Sequence, residues 1–561
     1  VPHPLGRAAL VTLACLLWLV LTEPLLAIVW DEGYTLGRLD RVRSWIAAMR
    51  DPVEFARVWV PPTLETVQQD GQPAPRPAEI DTRGELLGAG AIRWFWPFAR
   101  EEPHGHPPFY ALVGLIGDVV TPWRAPLGRA RLGTMLALSL AAGAAYAAAR
   151  RRWGDWAGAV AAGGMVLQPN LFAHGHYATY DALLTALWVG AMLAFAAAVA
   201  PRETGSRRAP RWGPAVLFGV LLGAAMDTKL TGWFLPIPLA AWAAVRPGRR
   251  RAAVATLALG GALGLLVMFA LCPPFWPDPV GGLRRFFASN LSRGETIPIE
   301  VQFLGRIYRT PVESLPPWNT LAWTLFVTPL GLLALAVAGS IRLFSRGRPR
   351  DDLALLAAVN TLFLLALRAL PHTPGHDGVR QFLPAFGCLA VVAAYGAGWA
   401  VERWRTWGER AVGLALGEAL VSVLILLPVP LSYYSPIVGG LPGAARLGME
   451  PTYYWDALTP AARDWLKLHT PPGGSVLFST NPTSWFYLRR TGDLAVPIAP
   501  FERGRPVWYV VQNRPGAMKP FERDLIARMG PEHVIASKLG VPLVWAFPAE
   551  TALPMMSGGV P

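Results

Sequence analysis

Charge is what this chain has least of. Charged residues make up 16% of its 561 residues, where a soluble protein carries about 25%. Hydrophobic residues reach 53% and the mean hydropathy is +0.33. An ordinary soluble domain is excluded. Cysteine is scarce as well. Cys15, Cys272 and Cys388 all lie in or beside apolar stretches, which excludes a disulfide framework and any cysteine-based metal spacing. There is no internal repeat. The net charge is +14, but the basic residues sit in short runs between apolar stretches. No basic, aromatic-interleaved surface exists, so nucleic acid is excluded as a partner. What remains is apolar sequence with 24 tryptophans, a residue suited to membrane interfaces.

A spanning helix needs about 20 mostly apolar residues. Such stretches occur near 8–29, 131–149, 156–172, 182–200, 212–227, 231–246, 252–271, 319–341, 353–370, 382–400 and 411–427. The pair 212–227 and 231–246 reads as a tight helical hairpin. Arginines then follow alternate loops: Arg7; Arg150, Arg151 and Arg152; Arg202, Arg207, Arg208 and Arg211; Arg246, Arg249, Arg250 and Arg251; Arg342, Arg346, Arg348 and Arg350; Arg403, Arg405 and Arg410. The positive-inside rule puts these loops and the N-terminus in the cytoplasm. Counting 107–121 as a span would invert every later loop. Its short length, its prolines and Asp118 favour a helix lying at the interface. The first apolar segment reads as a retained helix, since no clear A-x-A cleavage site follows it.

The outer side then holds 30–130, 173–181, 228–230, 272–318, 371–381 and 428–561. The first of these contains a Pro- and Gln-rich loop at 61–80. The tail has a different texture. Residues 459–469 and 520–529 read as helices, and 475–479 and 506–511 as strands. The expected fold is an all-α polytopic membrane bundle of about eleven transmembrane helices (1–427) with a small α/β extracytoplasmic domain (428–561). The expected location is a multi-pass position in the plasma (inner) membrane.

Titratable residues recur at the outer ends of the spans. Asp31 and Glu32 directly follow the first apolar run. Carboxylates there read either as a hydrated helix end or as a general base or metal ligand. His104 and His106 precede two prolines; alone they describe a turn, while a histidine can donate to phosphate. His174 and His176 fall in the next outer loop with Asp181, which reads as a helix N-cap or as a site acid. Lys229 sits between two spans, either snorkelling or anchoring an anionic headgroup. His376 and Arg380 occupy the last short outer loop, and an arginine fork matches phosphate. Together these groups are what an anionic lipid donor and a polar acceptor need.

In this order the motifs resemble those of the class C glycosyltransferases, in the branch of protein O-mannosyltransferases and lipid A aminoarabinose transferases (glycosyltransferase family 39). Asp31-Glu32 resembles the branch's acidic pair after its first helix. His106-Pro107-Pro108 resembles its juxtamembrane His-Pro-Pro element. Asp181 resembles the aspartate of the second outer loop, although Tyr-Asp-Ala stands here where Leu-Asp-Pro is usual. Lys229 in T-K-x-T-G and Arg380 to Pro384 in R-x-x-L-P resemble two further elements. The likeness covers about residues 8–400. It implies transfer of a sugar from a polyprenyl-phosphate donor to an acceptor hydroxyl on the outer face, with inversion. Asp31 would be the general base, with Glu32 and Asp181 beside it, and His106, Lys229 and Arg380 would bind the donor phosphate. Glu32 would orient the acceptor or bind a cation. The acceptor is a protein, a lipid or a glycan, and membrane lipids are the other partners. No cofactor is implied with certainty. A divalent metal ion stays open, with Glu32, His104, His174, His176 and His376 as candidate ligands.

Two other classes compete. A transporter or flippase of a lipid-linked or polar substrate places ionisable groups near the bilayer midplane. Here the spans are nearly free of charge, with Glu23 and Arg368 near span ends as partial exceptions. A scaffold displaying the tail would not need so many spans.

Overall fold

A computed structural model describes residues 4–59, 80–100, 105–201, 209–296, 299–347, 350–375 and 377–556. All of the 61–80 loop but Ile80 lies outside these residues, as do Arg202, Arg207, Arg208 and Arg348 and the metal candidates His104 and His376.

Among the described residues six helices are long and apolar enough to cross a membrane: Gly6–Leu25, Pro126–Trp153, Tyr180–Ala198, Pro247–Leu271, Asp352–Ala369 and Pro384–Trp404. The chain is an integral membrane protein, but the bundle is not eleven uninterrupted spans. Proline breaks two of those expected. Asp155–Val166 stops before Pro169–His176, and Asn319–Val327 stops before Leu330–Phe344. Proline lacks a backbone N–H and disfavours helix in the residue before it. Gln168 and Thr328 are accordingly extended, with ψ of 118° and 132°. The expected hairpin becomes Trp212–Met226, a 3-10 turn at Leu230–Phe234, and the short helix Pro236–Ala244. That turn packs so closely on the preceding helix that a Cβ on Gly232 would sit 2.1 Å from the Ala225 carbonyl oxygen. The stretch at 107–121 forms two short helices, Phe109–Gly114 and Ile116–Val120.

The first helix, Pro4–Thr22 (α1), ends sooner than its apolar run, followed by a 3-10 turn at Glu23–Leu25. The second, Trp30–Arg50 (α2), starts at Trp30. Asp31 and Glu32 therefore open a new helix instead of trailing the first. There the unpaired N–H groups of the first turn and the helix dipole favour carboxylates. α1 packs on Pro126–Trp153 (α3), and α2 meets it through Glu32 and Arg131; α3 is followed in the core by Tyr180–Ala198 (α4).

The N-terminal segment and the arginine-bearing loops at 150–155, 246–251 and 350–352 meet at one end of the bundle. Arg7 lies 3.7 Å from Asp155, Arg246 and Arg249 pair with Asp352 at 2.9 and 3.4 Å, and the Trp153 indole donates to Asp351 at 3.2 Å. Arg131, at the opposite end of α3 from Arg151, is about 30 Å away at 1.5 Å per residue.

Beyond the bundle, β1 (Ile299–Phe303) and β2 (Arg306–Thr310) form an antiparallel pair. The tail builds a five-stranded sheet from β3 (Gly474–Phe478), β4 (Ile498–Ala499), β5 (Arg505–Gln512), β6 (Val534–Lys538) and β7 (Val541–Pro548), in the order β4-β3-β5-β7-β6. β3 runs parallel to both neighbours, and β7 antiparallel to both of its own. The helix Thr483–Thr491 (α5) fastens this sheet to the bundle. The Ser484 hydroxyl donates to the Val29 and Trp30 carbonyls at 2.6 and 3.0 Å. A Cβ on Gly33 would meet the Ser484 nitrogen at 2.2 Å, so only glycine admits this contact.

Candidate active site

Where α2 begins, four of the expected site residues come together. An Arg380 terminal nitrogen (Nη1) donates to the Asp31 carboxylate at 2.7 Å and lies 3.5 Å from Asp181. The Lys229 ammonium donates to the other Asp181 oxygen at 2.6 Å. Asp181 is thus the hinge of the cluster, holding both cations. It sits in the first turn of α4. The Asp181, Lys229 and Arg380 side chains are nearly sealed, at 2%, 6% and 7% exposure, while Asp31 retains 23%. Asp31 is therefore the member of the cluster that an incoming molecule reaches first.

Glu32 faces the other way and is fully buried. One of its oxygens accepts from Arg131 Nε and the Ala178 amide, both at 2.8 Å; the other accepts from Arg131 Nη2 at 2.7 Å and the Val29 amide at 3.0 Å. Arg131 also reaches Glu23 at 3.0 Å, and Arg124 pairs with Glu23 at 2.7 Å. With both oxygens engaged, Glu32 clamps α2 to α3 and to the loop before α4. This geometry gives it a structural task in place of the expected acceptor or cation contact. It also explains Glu23, which had looked out of place near a span end.

The histidines divide. His106 lies beside the cluster, its ring 4.5 Å from that of Tyr180, the residue before Asp181. His174 is buried with its ring 5.6 Å from Tyr454. Burial pushes its pKa down to about 4, against the pull of Asp181 and with help from Arg380 and Lys229, so it is neutral at pH 7. His176 spends its ring on the bundle: Nδ1 meets the Phe172 carbonyl at 2.7 Å, and Nε2 meets the Leu19 carbonyl and the Thr22 hydroxyl, both at 2.9 Å. Glu32 and His176 are thus engaged elsewhere, and His174 is not joined to them. Among the described residues no group of three or more His, Cys, Asp or Glu converges as a metal site.

Several site residues were not anticipated. Tyr454, from the tail, donates to Asp31 at 2.9 Å, and its ring lies under the Arg380 guanidinium at 4.7 Å. Asp377 pairs with Arg380 at 2.9 Å and with Arg514 at 2.9 Å. Burial raises the Asp377 pKa, and the two arginines oppose that rise. Asp377 stands three residues before Arg380 in a loop already singled out, and Arg131 stands where an apolar span opens. Both carried a readable signal. Tyr454 and Arg514 carried none, because nothing local marks a tail residue as a neighbour of position 31.

Residues 106–274 match the family described as Dolichyl-phosphate-mannose-protein mannosyltransferase. Among solved structures, ArnT from Cupriavidus metallidurans bound to undecaprenyl phosphate is similar at a TM-score of 0.52 and 16% identity, over 96% of this chain and 98% of that one. At that identity the likeness is one of fold. The archaeal oligosaccharyltransferase AglB from Archaeoglobus fulgidus, in complex with an inhibitory peptide and a dolichol-phosphate, gives 0.46 and 12% over 89% and 69%. No curated protein matches the sequence.

Proposed function

We propose that this chain, a class C membrane glycosyltransferase by its family segment and its fold, moves a sugar from a polyprenyl-phosphate donor to an acceptor hydroxyl on the outer membrane face. The observation that carries the reading is the cluster of Asp31, Asp181, Lys229 and Arg380, in which the one reachable acid lies directly against the cation best suited to phosphate. The structural relative named above was solved with undecaprenyl phosphate bound, which supports a lipid-phosphate donor here.

In this mechanism the donor phosphate enters beside Arg380 and Lys229 and draws Arg380 off Asp31. The freed carboxylate accepts the acceptor's hydroxyl proton as the hydroxyl oxygen attacks the anomeric carbon. The bond from that carbon to the phosphate oxygen breaks, and the electron pair leaves with the lipid phosphate. Preorganised cations stabilise charge as it develops there. Asp181 keeps Lys229 and Arg380 in place throughout. Glu32, Asp181 and Asp377 are all engaged with cations, which favours a single displacement with inversion over a covalent intermediate on one of them.

The test is transfer from a radiolabelled polyprenyl-phosphate sugar by the purified chain. Asp31→Asn should lower turnover by about 10²–10⁴-fold, the usual contribution of a general base. Arg380→Ala should mainly weaken use of the donor. Full turnover by Asp31→Asn at normal expression removes Asp31 as the base.

A further inference from the structure

A second pocket lies along α2, away from the ion cluster. α2, the helix Ile116–Val120, the start of α3 and α5 enclose a cleft of about 350 Å³, lined by Asp40, Arg43, Asp118, Arg129, Tyr487 and Arg490 among others. Asp40 is nine residues beyond Asp31, about 14 Å along the helix axis.

The charges in this cleft do not balance: three arginines face two acids. Arg43 takes most of the carboxylate capacity. It holds Asp118 through two nitrogens at 2.6 and 3.0 Å and Asp40 at 2.6 Å. Arg490 reaches Asp40 at 3.0 Å. Arg129 comes only within 3.7 Å of Asp118, and its buried Nε makes no hydrogen bond among the described residues. The Tyr487 hydroxyl is buried and also makes none there. Burial pushes that phenol up to about 12, so the hydroxyl keeps its proton and remains a donor. The cleft therefore holds one unbalanced positive charge and two buried donors without acceptors, an arrangement that buried polar groups rarely adopt unless something else supplies the acceptor.

Its rim indicates the source of that acceptor. Directly after Asp118, Val119 and Val120 are 82% and 55% exposed, and Trp123 is 79% exposed. Apolar side chains and a tryptophan standing out from an interfacial helix suit the boundary between headgroups and acyl chains.

We propose that this cleft binds the phosphate headgroup of an anionic membrane lipid through Arg129, Arg490 and Tyr487, with the acyl chains lying against Val119, Val120 and Trp123. Arg43, already saturated, braces the wall. The occupant is a lipid with a net negative phosphodiester and not a zwitterionic one, because the excess positive charge has no other use.

The experiment is binding of phosphatidylglycerol and of phosphatidylcholine to the full chain in detergent, read by native mass spectrometry. Phosphatidylglycerol should be retained and phosphatidylcholine lost. Arg490→Gln and Tyr487→Phe should each weaken phosphatidylglycerol retention, Arg490→Gln by about tenfold. Arg490→Lys, which keeps the charge, should restore most of it. Arg490→Gln alters a partly exposed side chain and Tyr487→Phe removes only a hydroxyl, so both remain informative if Arg129→Gln misfolds. Equal retention of the two lipids, or unchanged retention in both variants, overturns the proposal. Displacement of phosphatidylglycerol by millimolar inorganic phosphate also overturns it, since the site would then take a soluble anion.

Discussion

Asp31 and Glu32 are adjacent in sequence and opposite in environment. Successive helical residues point about 100° apart, so one carboxylate faces the pocket while the other enters the wall. Asp31 keeps a solvent-facing side and two partners that a substrate can replace, Arg380 and Tyr454. Glu32 has four donors and no exposure. Substitutions at the two positions should therefore separate. Glu32→Gln leaves Arg131 buried with one fewer countercharge, and breaking such a pair costs about 3–5 kcal/mol. Its melting temperature in detergent should fall well below that of Asp31→Asn, which should melt close to the parent. Equal melting of the two variants would place both acids in the same role.

At the scale of elements, the segment between the last long helix and the tail sheet completes the pocket. The Trp30 amide donates to the Tyr454 carbonyl at 3.2 Å, the Tyr453 hydroxyl donates to Asn170 at 2.8 Å, and the Trp455 ring lies 4.5 Å from that of Trp30. Trp455 takes a φ of +56°, and Asp377 a φ of +40°. Such backbone is strained for these residues and persists only where the surroundings impose it. Two buried acids flank the segment. Burial raises Glu450 to about 7, with Arg514 opposing, and Asp456 also to about 7. Neither Asp456 oxygen has a hydrogen-bond partner in another described residue. Ordinary carboxyls titrate near 4. Between about pH 4 and 7 these two acids thus bind more protons in the folded chain than in the unfolded one, and their contribution to stability falls as pH rises through that interval. From about pH 6.5, above the range in which buried His174 acts in the opposite sense, to pH 8 the melting temperature should decline, and Asp456→Asn should flatten the decline and melt higher than the parent at pH 8. A variant with the parent's pH profile would show that Asp456 does not titrate in this range.

For the whole molecule, the consequence is sidedness. The arginine loops meet each other at one end, and the ion cluster and tail sheet lie at the other, separated by the length of α3. With the positive-inside rule this predicts a pocket that opens outward. The three native cysteines are buried, so introduced ones can be read cleanly. A membrane-impermeant maleimide applied to intact cells should label Arg503→Cys and spare Arg346→Cys, both at exposed positions. The reverse pattern would put the site in the cytoplasm.

Composition was sufficient for the membrane class, and single residues at span ends singled out the two acids and two cations that the fold brings together. These properties are carried by local runs and by single residues at span ends. Two of the tail's helices and two of its strands were legible for the same reason, since their periodicity is local, while β4, β6, β7 and α5 were not read. Which carboxylate faces the pocket, where prolines divide the expected spans, and which tail residues close the site were decided only by tertiary structure. Tyr454 and Asp31 are more than four hundred positions apart, and Glu32 meets Arg131 across a hundred. No pattern along the chain encodes such a pairing, because it arises when helices pack and each buried charge must find a partner.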